Sequence, residues 1–369
     1  MHQPAHPGSG PTLIDSLGTL AKTTTTPPES LAFFSALNAS ANIRSGPLHP
    51  VCARNGGLLT AWNALESRFC PSPLSLIGRI SRNFEENLDL LCQSVARDPL
   101  WQQGRIKVGN DPRNIEASLA LATAQLMFWT RRNAVIEPTD ALERLLVDSD
   151  LGEDLPADLF RPPLPACFIR FGKAFQDAVV PASARPDFGA HHLQGVYVFE
   201  SVRTAQRALT LVPIYVMRES ARVAGGRIEM IIVEETDPLA QIIRDICAPV
   251  GAEQGAHLES VARLVTKVFL YMGLAQTPQS EQRDYSAAQE RLNRLGPKKA
   301  AKLQRQIDAR YDRIVLGPQE IHLHGHGEVS PHLRRGHFRL QPHGPQLSLR
   351  TLMFIAPTWV RADKLAATA

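Results

Sequence analysis

Apolar residues recur in steps of three and four from Leu74 through Ile77, Ile80, Phe84, Leu88 and Leu91 to Val95. After the start signal Ser72-Pro73, this spacing predicts a helix with one buried face. A second helix is predicted through Ile115, Leu119, Ala122, Leu126 and Trp129, and both stripes read as core. Past Pro156, Pro162, Pro163 and Pro165 the period changes. Short β-branched and aromatic runs at Ala166 to Phe171, Gly195 to Phe199, Leu209 to Val216 and Arg227 to Val233 predict four strands of an antiparallel sheet. The last of these, GGRIEMIIVEE, is nearly continuous in apolar residues and is expected at the centre of the sheet.

Helical spacing then returns. Leu258, Val261, Leu264, Val265, Val268, Phe269 and Met272 form one wide apolar face, suited to covering the sheet. Glu281 to Asp312 reads as two charged helices broken at Gly296-Pro297, where glycine ends one helix and proline begins the next. In the second, Ala300, Leu303, Ile307, Tyr311 and Ile314 make an apolar stripe, and Lys298, Lys299, Lys302, Arg305, Arg310 and Arg313 make a basic face. IVLGPQEIHLHG, GHFRLQPHG and TLMFIAPTWVR read as three strands of a closing module. The pattern as a whole predicts an α+β protein: a helical N-terminal region, a central mainly antiparallel sheet covered by helices, and a small C-terminal β-module. Its segments read as a flexible arm over 1–46, a helical domain over 47–155, a sheet-plus-helix domain over 156–278, and a basic helical arm with the β-module over 279–369.

Composition narrows the class. With 44% hydrophobic and 21% charged residues in 369, the chain is not intrinsically disordered and has the length of two or three domains. Cys52, Cys70, Cys92, Cys167 and Cys247 are odd in number and far apart, which argues against a disulfide framework or a zinc knuckle and for buried thiols. Neither a cationic head with an apolar core at the N-terminus nor a run of about eighteen apolar residues occurs, so the expected location is the cytoplasm, with no membrane partner.

Charge is unevenly placed. Between Arg291 and Arg361 stand thirteen Arg or Lys against four acids, Asp308, Asp312, Glu320 and Glu328, while the rest of the chain is net acidic. The C-terminal part is therefore expected to meet an anionic partner, nucleic acid first among them. The same stretch holds His322, His324, His326, His332, His337 and His343, half of the chain's twelve histidines, among Arg334, Arg335 and Arg339.

Three chemistries fit those residues. Alternation along a strand puts Arg335, His337 and Arg339 on one face and Phe338 and Leu340 on the other, so two guanidinium forks flank an imidazole, an arrangement suited to an anionic oxygen. With Arg334, Lys298, Lys299, Lys302 and Arg305 this makes a binding surface. If the chain is an enzyme, His332, His337 and His343 are the acid and base candidates of a metal-independent ribonuclease. His322, His324 and His326 alternate as ligands of one metal ion would, but two glycines and the lack of an orienting carboxylate leave solvent-exposed histidine the simpler account, and no cofactor is expected. Phosphate-loop, nucleophile-elbow, HExxH and CxxC signatures are missing. Glu234, Glu235 and Asp237 read as caps of a following helix rather than magnesium ligands.

The run from Pro331 to Arg361 resembles a C-terminal signature of phage and plasmid proteins: His-x-Arg-Arg-Gly-His-aromatic-Arg, a glycine, then Ile-x-Pro-x-x-Val. The matching residues are His332, Arg334, Arg335, Gly336, His337, Phe338, Arg339, Gly344, Ile355, Pro357 and Val360. Among those proteins is a family of anti-CRISPR inhibitors directed at the type V-A effector nuclease. The resemblance implies host defence evasion: recognition of the nuclease's nascent N-terminal peptide and lowered nuclease expression through loss of its transcript. RNA binding, or RNA cleavage by the His/Arg cluster, is the alternative the residues themselves leave open.

Overall fold

The computed structural model describes residues 27–40, 57–69, 76–105, 112–179, 191–203, 206–217, 223–225, 227–307, 310–320 and 332–360. Helices α1 (Pro28–Ser40), α2 (Leu58–Phe69), α3 (Leu76–Arg79), α4 (Phe84–Arg97), α5 (Pro99–Gln102) and α6 (Pro112–Thr130) come first. The helix predicted from Leu74 to Val95 is thus split in two. The Asn83 side chain accepts the backbone N–H groups of Glu85 and Glu86, which starts α4 afresh and leaves Ile80 in the link. Next come β1 (Asn133–Pro138), α7 (Asp140–Val147), β2 (Ser149–Asp150), β3 (Ala166–Arg170), α8 (Lys173–Val179), β4 (His191–Arg203), β5 (Gln206–Met217), β6 (Val223–Gly225) and β7 (Ile228–Ile232). The chain continues through α9 (Leu239–Cys247), α10 (Ala252–Met272), β8 (Gln279–Arg283), α11 (Asp284–Leu292), α12 (Pro297–Ile307), β9 (Asp312–Leu316), β10 (His332–Arg334), β11 (Gly336–His343), β12 (Leu349–Ile355) and β13 (Thr358–Val360).

The central sheet runs β6-β5-β4-β3-β1-β9-β8, with β7 also paired to β5. Five of its pairings are antiparallel, while β1 lies parallel to both β3 and β9, so the fold is α+β with a mostly antiparallel sheet. Strands from residues 133 to 316 enter one sheet, across three of the segments read from composition. Alternate residues go to opposite layers. Cys167, Ile169, Val196, Val198, Leu209 and Leu211 pack with α7 to α10, and Ala166, Phe168, Tyr197, Phe199, Val212 and Ile214 pack with α1, α2, α4 and α6. Burial on both faces is why these strands read as continuous apolar runs rather than alternating ones.

Five expectations need correction. GGRIEMIIVEE is not central: among the described residues β7 pairs with β5 alone, and its buried Ile228, Met230 and Ile232 lie on the face covered by α9 and α10. A strand, β1, lies within the stretch expected to be helical, and a second, β8, precedes the charged helices. IVLGP does not join the C-terminal module, because β9 completes the large sheet between β1 and β8. Glu234, Glu235 and Asp237 do not cap α9, whose first turn receives no side-chain cap. Glu235 instead takes a bidentate bond from Arg207 at 2.8 and 2.9 Å, which holds its carboxyl below the usual range.

The C-terminal strands form two small sheets, β12-β11-β2 and β10-β13. Cys167 and Cys247 are buried free thiols and Cys92 is half-buried; burial pushes the Cys167 thiol up to about 12. Among the described residues no helix is long and apolar enough to cross a membrane.

Candidate binding surface

In β11, alternation puts Phe338 inward, 2% exposed, with its ring 4.8 Å from that of Phe354, which in turn meets Tyr271 of α10 edge-on at 5.6 Å. Arg339 is exposed on the opposite side and His337 is half-buried. Arg335, just before the strand, is 75% exposed and lies 3.6 Å from Asp150 of β2, the residue in register with His337. The structure therefore brings Arg335, His337 and Arg339 to one side of the hairpin, with Asp150 at one end. His343 continues that side and is hydrogen-bonded to the Thr351 hydroxyl at 3.1 Å.

Docking of the hairpin depends on contacts distant in sequence. The Gly336 N–H donates to Asp148 O at 3.1 Å, and a Cβ on Gly336 would meet Ser149 Oγ at 2.5 Å, Pro357 Cδ at 2.6 Å and Ile355 O at 2.7 Å. Only glycine lets β11 pass this close to β2. Beneath β2, the buried Lys267 of α10 donates from Nζ to Leu146 O at 2.8 Å and to Ser149 O, closing the carboxyl end of α7. Burial, with Arg263 and Arg335 nearby, lowers its pKa to about 8.

The other candidates are placed as follows. Lys299 and Lys302 are exposed on α12, which packs against α11; Lys298 and Arg305 belong to the same helix, but their side chains lie outside the described residues. Arg334 is exposed on β10, and His332 starts that strand, with its side chain outside the description. His322, His324 and His326 lie outside the described residues, and among the described residues no cluster of three metal-ligating side chains occurs. His337 and His343 stand six positions apart on one strand, about 20 Å at the rise of a β-strand. As an acid–base pair they are too distant to share one phosphate.

A second feature had no signal in sequence. A cavity of about 630 Å³ opens where β1 and β3 end and α7 and α8 begin, lined by Glu137, Asp140, Arg170, Lys173, Gln176 and Gln194 among others. Crevices at the carboxyl ends of parallel strands are common ligand sites. Glu137 anchors one wall, accepting from Tyr311 Oη at 2.6 Å and Arg170 Nη1 at 3.1 Å and pairing with Arg313 Nε at 3.1 Å. Burial, aided by Glu137, pushes the Tyr311 hydroxyl up to about 12. Behind the cavity the buried Glu143 accepts the Gly172 N–H, and burial raises its carboxyl to about 7. These groups come from three strands far apart in the chain, so no local motif announces them.

Residues 136–362 match the anti-CRISPR type V subtype A2 family, AcrVA2-like. The chain belongs to this family. Its matched part begins inside β1 and runs past β13, taking in the rest of the central sheet, α7 to α12 and the Arg335–Arg339 hairpin; the helices α1 to α6 precede it. No curated protein matches the chain. Membership assigns an anti-CRISPR role against the type V-A system and a CRISPR nuclease as its target.

Proposed function

We propose that this anti-CRISPR protein binds the N-terminal peptide of a type V-A CRISPR nuclease as it is synthesised and lowers expression of that nuclease through loss of its transcript. The observation that carries the reading is the extent of the family match, which spans both the sheet with its cavity and the basic hairpin. In this reading the body holds the peptide and the hairpin meets the translating complex, RNA or a ribosome-associated assembly, through Arg335, His337 and Arg339, assisted by Arg334 and by Lys298, Lys299, Lys302 and Arg305 of α12. Exposure of Arg335 and Arg339, with Phe338 packed beneath, supports a binding role, because solvated guanidinium groups contribute little to folding. Ribonuclease action draws no support from the His337 and His343 spacing.

Co-expression with a type V-A nuclease gene tests the proposal. Wild-type protein should reduce both nuclease protein and transcript, and the double variant Arg335→Ala, Arg339→Ala should reduce neither while accumulating to the same level. Unchanged nuclease in the presence of wild-type protein would remove the reading.

A further inference from the structure

Natural sheets blunt their edge strands with charge, proline, bulges or brevity, because an unpaired row of N–H and C=O groups recruits other chains. The large sheet here follows that rule. Its terminal strand β8 reads Gln279, Ser280, Glu281, Gln282, Arg283, polar throughout, and β7 on the other side is five residues long with its apolar side chains buried. In the C-terminal sheet, β12 does not follow it. Leu349, Arg350, Thr351, Leu352, Met353, Phe354 and Ile355 pair with β11 without a register break, contain neither proline nor glycine, and carry one charge. Among the described residues, nothing pairs with the outer edge of β12.

The exposed side of this hairpin, which carries Arg339 and His343, also presents apolar side chains. Leu349 is 52% exposed and Met353 40%, standing opposite His343 and Arg339. At the tip, Gln346 and Leu347 take φ of 51° and 58°, a left-handed conformation that side-chain-bearing residues avoid, and the turn leaves Leu347 61% exposed. Charge selects the partner: from His332 to Val360 the chain has Arg334, Arg335, Arg339 and Arg350 and no acid, so a second copy of the hairpin would be repelled. RNA would satisfy the arginines but not the leucines, the methionine or the unpaired backbone.

We infer that β12 is a docking edge for an acidic, extended segment of a partner polypeptide, added as a further strand. Its backbone pairs with the outer edge of β12, its apolar side chains rest on Leu347, Leu349 and Met353, and its carboxylates, on the other face of the added strand, meet Arg350. The inference rests on the hairpin alone and stands whatever peptide the body recognises.

The test uses the full-length protein and short synthetic peptides of alternating glutamate and valine, their lysine-valine counterparts, the glutamate peptide N-methylated at alternate residues, and a single-stranded RNA oligomer. Wild-type protein should bind the glutamate peptide, with slowed hydrogen exchange in β12, and should bind the lysine and N-methylated peptides at least about tenfold more weakly. The variant Leu349→Lys, Met353→Lys should lose that binding and keep its melting temperature. Equal binding of acidic and basic peptides, an unaffected double-lysine variant, protection of β12 by RNA alone, or a dimer paired through β12 would each overturn the inference. Should the variant fail to fold, the N-methylated peptide on wild-type protein decides the matter.

Discussion

At the scale of single residues, Glu143 makes the most specific prediction. Its carboxyl is buried against Gly172, and burial raises its pKa from an ordinary value of 4.5 to about 7. The folded state therefore holds a proton that the unfolded state releases between those two values. Stability from this group is full below 4.5 and is lost as pH rises towards 7, by up to about 3 kcal/mol. Glu143→Gln, which keeps an acceptor for the Gly172 N–H without the charge, should match wild type near pH 4 and exceed it at pH 7.5 in denaturant titrations. Parallel curves for the two proteins across that range would refute the assignment. The arginines behave differently: Arg335→Ala and Arg339→Ala should each shift stability by less than about 0.5 kcal/mol, since neither side chain is buried.

At the scale of elements, the hairpin is held by one aromatic plug and one glycine. Phe338→Ala removes a ring packed on Phe354 and should cost about 3–5 kcal/mol, with the loss seen as faster hydrogen exchange in β11 and β12. Gly336→Ala should loosen the same strands, because a methyl group there overlaps Ser149, Pro357 and the Ile355 carbonyl. Normal exchange in either variant would mean that the hairpin is anchored elsewhere. The orientation of Arg335, His337 and Arg339 was legible in sequence, because a two-residue period is a property of the strand itself. What β11 docks on was not. Its parallel partner β2 is two residues long and nearly two hundred positions away, and Ser149-Asp150 has no strand signature. The same limit hid β1 and β8: one is a short run between two helices, and the other is polar because it is an edge. β7 was misplaced for a related reason, since an apolar run reports burial of its side chains and not the number of its neighbours.

At the scale of the whole molecule, the sheet is covered on one face by α7 to α10, within the family match, and on the other by helices that precede it. Removing residues 1–132 would bare Phe168, Tyr197, Phe199, Val212 and Ile214. That truncation should yield aggregated rather than monodisperse protein by size exclusion. A stable, well-behaved truncation would show that the N-terminal layer is dispensable. Charge asymmetry predicts that the proposed association with the translating complex weakens steeply with salt, and that replacing Lys299 and Lys302 lowers the slope without changing selectivity. The cavity and its Glu137 network leave no pattern in the sequence, because their residues meet only after three strands align.

The central claim is that the nuclease's first residues, read as polypeptide, mark its transcript for loss. It is tested most directly by measuring nuclease transcript in cells expressing this protein beside two recoded nuclease genes. One carries synonymous changes throughout the first codons, and the other keeps the nucleotide composition but alters the encoded peptide. The account predicts that the synonymous gene loses its transcript as the natural one does and that the altered-peptide gene keeps it. Loss of both transcripts, or protection by the synonymous changes, would contradict the claim and place recognition in the RNA.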